Sequence, residues 1–430
     1  MFPEIHQIHQ NLPHTTITDL EAAVSEAWKK SRSFARIQPG MRIAVGVGSR
    51  GISNIARITR ATIITLQEMG AKPFLVAAMG SHGGATPEGQ RTLLADYGIT
   101  EESMQVPILT DMDVDVIGTN SWDAPVYWDR NALQADGVVT IARIKPHTDY
   151  RGKYESGLMK MAVIGFGKRA GAAQIHLYGA TALRDMIPES MNVILEKTKY
   201  FGGLGIIENA HEETHHLEVV DRDDLLTREP ELLKIAHQQI GKLPFEQLDL
   251  LVIGEIGKNY SGSGIDPNVV GRFLVETAPD LDLAPPHITR ICALDLSPES
   301  HGNGVGCGIA DLISKRLADA IDPNITRTNV LTACFLWRAK VPFSFPTDQD
   351  GIRVGLETCW QPIWEKIRMA IIPNSLEVAD YYVSQALLEE VGKHPNQVIT
   401  GQKMHLPFDE SGNLIQEELF PHSVRSRRSH

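Results

Sequence analysis

No apolar run in this sequence approaches the roughly 18 residues of a membrane span. The opening MFPEIHQIHQNLPH has neither a basic stretch nor an apolar one of the kind a secretory leader carries. Cysteine is sparse: Cys292, Cys307, Cys334 and Cys359 form no CxxC pair, which excludes a disulfide scaffold and predicts free buried thiols in a reducing compartment. Positive charge is also short, with 41 Lys and Arg against 53 Asp and Glu and a formal net charge of -12. Such a chain is a poor partner for nucleic acid, which needs a basic face. Its one basic cluster, Arg425, Arg427 and Arg428, reads as a solvated tail. No short-period repeat is present, so solenoids and propellers are excluded. A cytoplasmic protein without nucleic-acid or membrane partners is expected.

What is present is a long chain of ordinary globular composition. At 430 residues it exceeds a single hydrophobic core, so two domains are predicted. Short β-rich runs alternate with amphipathic stretches: RIAVGVG (42–48) before IARITRATIITLQEMG (55–70), FLVAAMG (74–80) before TPEGQRTLLADYG (86–98), and GVVTIARIK (137–145) before a helix from about 157. In the second of these units Thr86 can cap, Pro87 suits the first helical position and Glu88 complements the dipole. After a helix-like stretch at 224–244 the pattern restarts, with strands at 248–257, 288–296 and 367–373 and helices at 309–321 and 375–392. Strand and helix in alternation imply an α/β fold of two domains, each a mostly parallel sheet flanked by helices, with the active site in the cleft between them. The predicted domains are 1–245 and 246–390, and 390–430 is free to pack back on the first.

Ligands of open parallel sheets bind beyond the carboxyl ends of the strands. That rule selects SRGISN (49–54) with Arg50, SHGGAT (81–86) with His82, KPHTDYRG (145–152) with Lys145, His147, Asp149 and Arg151, and KNYSGSGIDPN (258–268) with Lys258. Two imidazoles suit removal and return of a proton near pH 7, and an arginine can hold a carboxylate through two parallel hydrogen bonds.

The segments MGSHGGATPE (79–88) and KPHTDYRGKYESGLMKMAVIGFGKRAGAAQIH (145–176) resemble the signature region of the nickel pincer nucleotide-dependent lactate racemase family. Together with GKNYSGSGIDPNVVGR (257–272), they are similar to a branch of these isomerases whose substrate is uncharacterised. The resemblance implies a racemase or epimerase of a 2-hydroxy acid, a sugar acid being one option, with separate cofactor-synthesis proteins for loading. It implies His82 and His147 as the acid/base pair, Lys160 as the residue joined covalently to the cofactor, with Lys168 as the rival, and His176 as the nickel ligand. Arg50 matches an arginine near cofactor and substrate, although Val47, Gly48 and Ser49 stand where the family carries an aspartate. Lys258, Asp266, Asn268 and Arg272 are the substrate-binding candidates of the second domain. A cofactor-free binding protein of the same fold is the alternative.

Other motifs compete. His211, Glu212 and His215 fit the zinc-hydrolase pattern HExxH, which requires a helix, whereas the flanks GLGIIEN and HLEVV read as strands. The glycine-rich 301–315 lacks the GK[ST] ending of a phosphate loop, and Cys307 within it is taken as structural. The aromatic segment at 334–346 reads as core, and Trp360 and Trp364 as a pair on a helix.

Overall fold

The computed structural model describes residues 2–48, 51–276, 278, 281 and 285–428. Two compact units result, Pro13–Ile240 and Met1–Leu12 with Gly241–His430. The first strand, β1 (Ile5–Gln10), therefore belongs to the second unit and not to the N-terminal domain that the sequence suggests.

The unit of residues 13–240 contains β2 (Arg42–Val47), β3 (Lys72–Ala77), β4 (Ile108–Leu109), β5 (Val114–Thr119), β6 (Pro125–Asp129), β7 (Gly137–Arg143), β8 (Tyr200–Glu208) and β9 (Thr214–Asp221). Strands β5 and β6 form a separate hairpin, and the other six form one sheet in the order β4-β3-β2-β7-β8-β9. That sheet is parallel except for β8 with β9. Alternate residues Ile43, Val45 and Val47 pack on Leu20, Val24 and Trp28 of α1 (Leu20–Lys29) and on Ile55, Ile58 and Leu66 of α2 (Ile55–Glu68). Ala44 and Gly46 between them are buried as well, which is why a strand covered on both faces reads as an unbroken apolar run. Each fully buried Ile, Leu or Val contributes roughly 1.5–3 kcal/mol. Thr86 Oγ1 accepts the Gly89 N–H at 3.1 Å and Pro87 opens α3 (Pro87–Asp96), as that segment predicts.

The second unit holds β1 with β10 (Gln247–Ile253), β11 (His287–Ala293), β12 (Leu312–Ser314), β13 (Phe343–Phe345), β14 (Met369–Ile372), β15 (Asp380–Ser384) and β16 (Gln397–Ile399). They make one eight-stranded sheet, β13-β12-β11-β10-β14-β15-β1-β16. It is parallel from β13 to β14 and antiparallel beyond.

Several expectations are corrected here. The stretch 309–321 is not one helix: Leu312 and Ile313 pair with Cys292 and Ala293, and Ser314 then caps a helix over Lys315–Ala320 by accepting the Leu317 N–H at 3.0 Å. Apolar spacing there fits both periods, and the cap decides where one gives way to the other. Likewise 375–392 contains β15, whose Tyr381 and Tyr382 are both buried, before a short helix at Leu388–Val391. Trp360 follows the end of the Asp348–Thr358 helix in a left-handed conformation and Trp364 lies in a 3-10 turn, so they share no helix. Residues 390–430 stay with the second unit, where β16 pairs with β1.

The arginines of the C-terminal cluster are not a solvated tail. In the helix Val424–Arg428, Arg425 pairs with Asp295 at 2.6 Å, Arg428 pairs with Glu299 at 2.6 Å, and both reach the buried Glu255. Only Arg427 is largely exposed. All four cysteines are free, Cys334 being exposed and the others buried. Among the described residues no helix is long and apolar enough to cross a membrane.

Candidate active site

In the first unit the chain starts its sheet at β2, moves outward through β3 to β4, and then returns to the other side of β2 with β7. The reversal of direction between β2 and β7 opens a crevice at their carboxyl ends, where loops diverge instead of crossing. The loops after β2, β3 and β7 leave from this edge. Arg50, in the first of them, lies outside the described residues.

The loop after β3 carries His82, which is exposed. Its backbone is fixed from α3: buried Gln90 donates through Nε2 to the carbonyls of Gly80 at 3.1 Å and His82 at 3.3 Å. The loop after β7 is closed at its base by Lys145 and Ser156, whose amides and carbonyls exchange two bonds of 3.1 and 3.2 Å. Inside it, the carboxylate of Glu155 organises the backbone. Its Oε2 accepts the His147 N–H at 2.5 Å and Arg151 Nη1 at 3.3 Å, and Arg151 also donates to the His147 carbonyl at 2.7 Å. The His147 ring is 5% exposed and stacks on Tyr150 at 4.3 Å between centroids. Its Nδ1 accepts the Asp149 N–H at 3.0 Å, and its Nε2 meets Lys160 Nζ.

Lys160 ends a short helix, Leu158–Lys160, that continues as a π-helical turn, Met161–Gly165, and then as α4 (Lys168–His176). This run is seated on the strand ends. A side chain at Gly165 would stand 2.6 Å from the Ala78 carbonyl, and Gly80, left-handed at φ +58°, donates its N–H to the Gly165 carbonyl at 3.2 Å. Glycine is required at both places, by contact in one and by backbone conformation in the other. The helix start is held by Glu229 of α5 (Leu225–Gln239), whose Oε2 accepts the Met159 N–H at 3.0 Å. Burial raises this carboxyl to about 7, against the pull of the Met159 and Leu158 amides.

His176, at the far end of α4, is half-buried. Its pKa is lowered, first by burial and then by the charge of Lys160, with Asp149 opposing. The two rival lysines differ sharply. Lys168 is fully buried, donates to the Ala77 carbonyl at 2.6 Å and pairs with equally buried Asp129 at 3.1 Å. Burial pushes the Asp129 carboxyl up and the Lys168 ammonium down, while their mutual attraction opposes both shifts. Lys168 thus pins α4 to the end of β3, whereas Lys160 opens toward the His147 loop.

His211 lies in the turn between β8 and β9, and His215 lies on β9 with its Nδ1 2.9 Å from Thr15 Oγ1. Without a helix the two rings share no face, which removes the context that HExxH needs. Among the described residues no group of three or more His, Cys, Asp or Glu could hold a metal ion.

In the second unit Lys258, Asp266, Asn268 and Arg272 follow β10. Lys258 is half-buried and donates through Nζ to the Gly262 carbonyl at 2.6 Å. Asp266 caps the turn Pro267–Val270 by accepting the Asn268 N–H at 2.9 Å, and it also accepts Asn268 Nδ2 at 2.8 Å. Arg272 pairs with Asp311 at 2.8 Å and donates to the carbonyls of Ile309 at 2.9 Å and Ile288 at 2.7 Å, so its fork braces the sheet.

No family model matches this sequence, and no curated protein matches it. Among solved structures, the lactate racemase apoprotein from Thermoanaerobacterium thermosaccharolyticum superimposes with a TM-score of 0.53 at 13% identity, over 87% of this chain and 99% of that one. The chain has a lactate racemase-like fold. At that identity the likeness is one of architecture, and the residues that matter for chemistry must be argued from their own surroundings.

Three residues with organising roles escaped the sequence reading. Glu229 left a trace: it falls in the buried stripe of α5 with Leu225, Leu232, Leu233 and Ala236, where a carboxylate is out of place unless something needs it. Glu155 and Gln90 left none, since the bonds by which they organise their loops go to backbone groups.

Proposed function

We propose that this protein is a nickel pincer nucleotide-dependent racemase or epimerase of a 2-hydroxy acid. The observation that carries the reading is the meeting of His147 and Lys160 at the switch point of a parallel sheet, in a chain with a lactate racemase-like fold. The residues present fit the group. A pincer ligand needs only one further donor from the protein, and His176 is the candidate, kept toward its neutral, metal-binding form by burial. Lys160 is the attachment residue, Lys168 being sealed beneath α4. When bound, the cofactor supplies a hydride acceptor and a nickel centre.

The chain's own residues supply positioning and proton movement. His147, steadied by Tyr150 and Glu155, is assigned to take and return the substrate hydroxyl proton, which requires its Nδ1 to release the Asp149 amide, and His82 on the loop after β3 is assigned as the second acid/base. Paired imidazoles make the reaction reversible at either face of the substrate. The polar loop after β10, with Lys258 and Asp266, favours a polyhydroxylated acid over lactate.

The test is intact mass and nickel content of protein produced together with the cofactor-synthesis proteins. Wild type is expected to carry an adduct and nickel, Lys160→Ala neither, and His176→Ala the adduct with at least about ten-fold less nickel. Chiral chromatography of 2-hydroxy acids incubated with loaded wild type then identifies the substrate. Absence of any adduct on wild type overturns the reading in favour of a cofactor-free binding protein.

A further inference from the structure

The hydrogen bonds around His147 fix where its proton sits. A backbone N–H can only donate, so the Asp149 amide, 3.0 Å from Nδ1, makes that nitrogen an acceptor. A neutral imidazole with Nδ1 accepting carries its hydrogen on Nε2. An imidazolium would set N–H against N–H at Asp149 and does not fit. Nε2–H in turn faces Lys160 Nζ. An ammonium has three donors and no lone pair, so it cannot accept this hydrogen; an uncharged amine can.

We propose that His147 holds Lys160 as an uncharged amine before any cofactor is attached, its ammonium proton having gone to solvent. The imidazole assigned to proton transfer thus has an earlier task, keeping the attachment lysine nucleophilic; this rests on the reading of Lys160 given above. The charged groups around the pair divide. Asp149, whose Oδ2 is 3.7 Å from Nδ1, and Glu155 favour extra protons, while Arg151 on the same loop disfavours them. From α4, His176 shares an electrostatic field with Lys160. From α5, Glu229 caps Met159 and His237 lies 3.7 Å from Glu155. Tyr150 stacks on the ring, and burial raises its hydroxyl well above the ordinary range, so it brings no charge. The fixed direction of the Asp149 N–H decides between the opposing fields, because it permits one tautomer only.

The experiment is trace acetylation of apoprotein with acetic anhydride across pH 6 to 11, read lysine by lysine by mass spectrometry. Lys160 is expected to react at pH 8 at least about ten-fold faster than exposed Lys72, since one unit of pKa is a factor of ten in free amine. In His147→Phe, which keeps the stacked ring but has no nitrogen, and in His147→Gln, whose carbonyl accepts from an ammonium, the Lys160 profile should move to the ordinary lysine range near ~10.4. Buried Lys168 stays unlabelled while the unit is folded and so reports on each variant's integrity. A wild-type Lys160 profile that overlays Lys72 overturns the proposal, as does a depressed profile that survives in a variant whose Lys168 is protected. If both variants expose Lys168, the wild-type profile decides. The cofactor takes no part in this labelling, so a depressed profile without any adduct in the mass experiment removes the racemase reading and leaves the primed lysine standing.

Discussion

The two sheets of this protein place loops at their carboxyl edges in the same way and fill them oppositely. In the first unit, the reversal between β2 and β7 is lined by a histidine, a lysine and a carboxylate that holds backbone, with a fully buried ion pair, Lys168 with Asp129, set back at the start of α4. In the second, the chain moves from β10 outward to β13 and returns on the other side with β14. There, Glu255 at 1% exposure and Asp295 are met by Arg425, Arg428 and Arg316, with the Tyr260 hydroxyl donating to Glu255 at 2.7 Å. One switch point keeps groups whose protonation can change; the other neutralises carboxylates with guanidinium groups that cannot lose a proton. A shared architecture therefore says where chemistry can be placed, and the residues say whether it is.

The comparison breaks most easily at the arginines. Arg425→Ala with Arg428→Ala leaves a buried carboxylate without guanidinium partners and is expected to destabilise by about 3–5 kcal/mol, read by urea denaturation. Adding Glu255→Gln should recover most of the loss. If the double variant is as stable as wild type, the second switch point is not held by these ion pairs.

A smaller effect sharpens the first switch point. Glu229 has its folded-state pKa raised to about 7 from 4.5, so between these values the native state binds more protons than the unfolded chain. Stability then falls as pH rises across that window, by up to about 3 kcal/mol, and the cost is fully in place above pH 7. Glu229→Gln keeps an acceptor for the Met159 amide and should flatten the slope between pH 4.5 and 7 in denaturant melts at several pH values. An unchanged slope would mean that the buried carboxyl is not the group responsible. The smallest effect is expected at His215→Ala, which removes one exposed hydrogen bond to Thr15: a stability change within about 0.5 kcal/mol and no loss of bound metal.

Much of this was legible in the chain and some of it was not, for physical reasons. Buried parallel strands announce themselves as apolar runs, so 42–48, 74–80 and 137–145 are close to the strands observed, and Thr86-Pro87 marks its helix start. The stretch 309–321 misleads because Leu312, Ile313 and Leu317 satisfy a helical and an extended period at once. The two rival lysines look alike in sequence; only the left-handed backbone and complete burial of Lys168 separate them. The Arg425 and Arg428 pairs join residues some 130 to 170 positions apart, a distance at which local pattern carries no information.

Strand β1 has a consequence for how the molecule is made. Ile5 pairs with Ser384 and bridges Met404, so β1 is synthesised long before the residues it pairs with. At the ~5–20 residues per second of translation, it waits roughly 20 to 75 s for β15 to emerge. Residues 13–240 can complete their own core meanwhile. The ribosome thus delivers a finished first unit flanked by an unsatisfied strand edge, which is the window in which a chaperone is of most use to this chain.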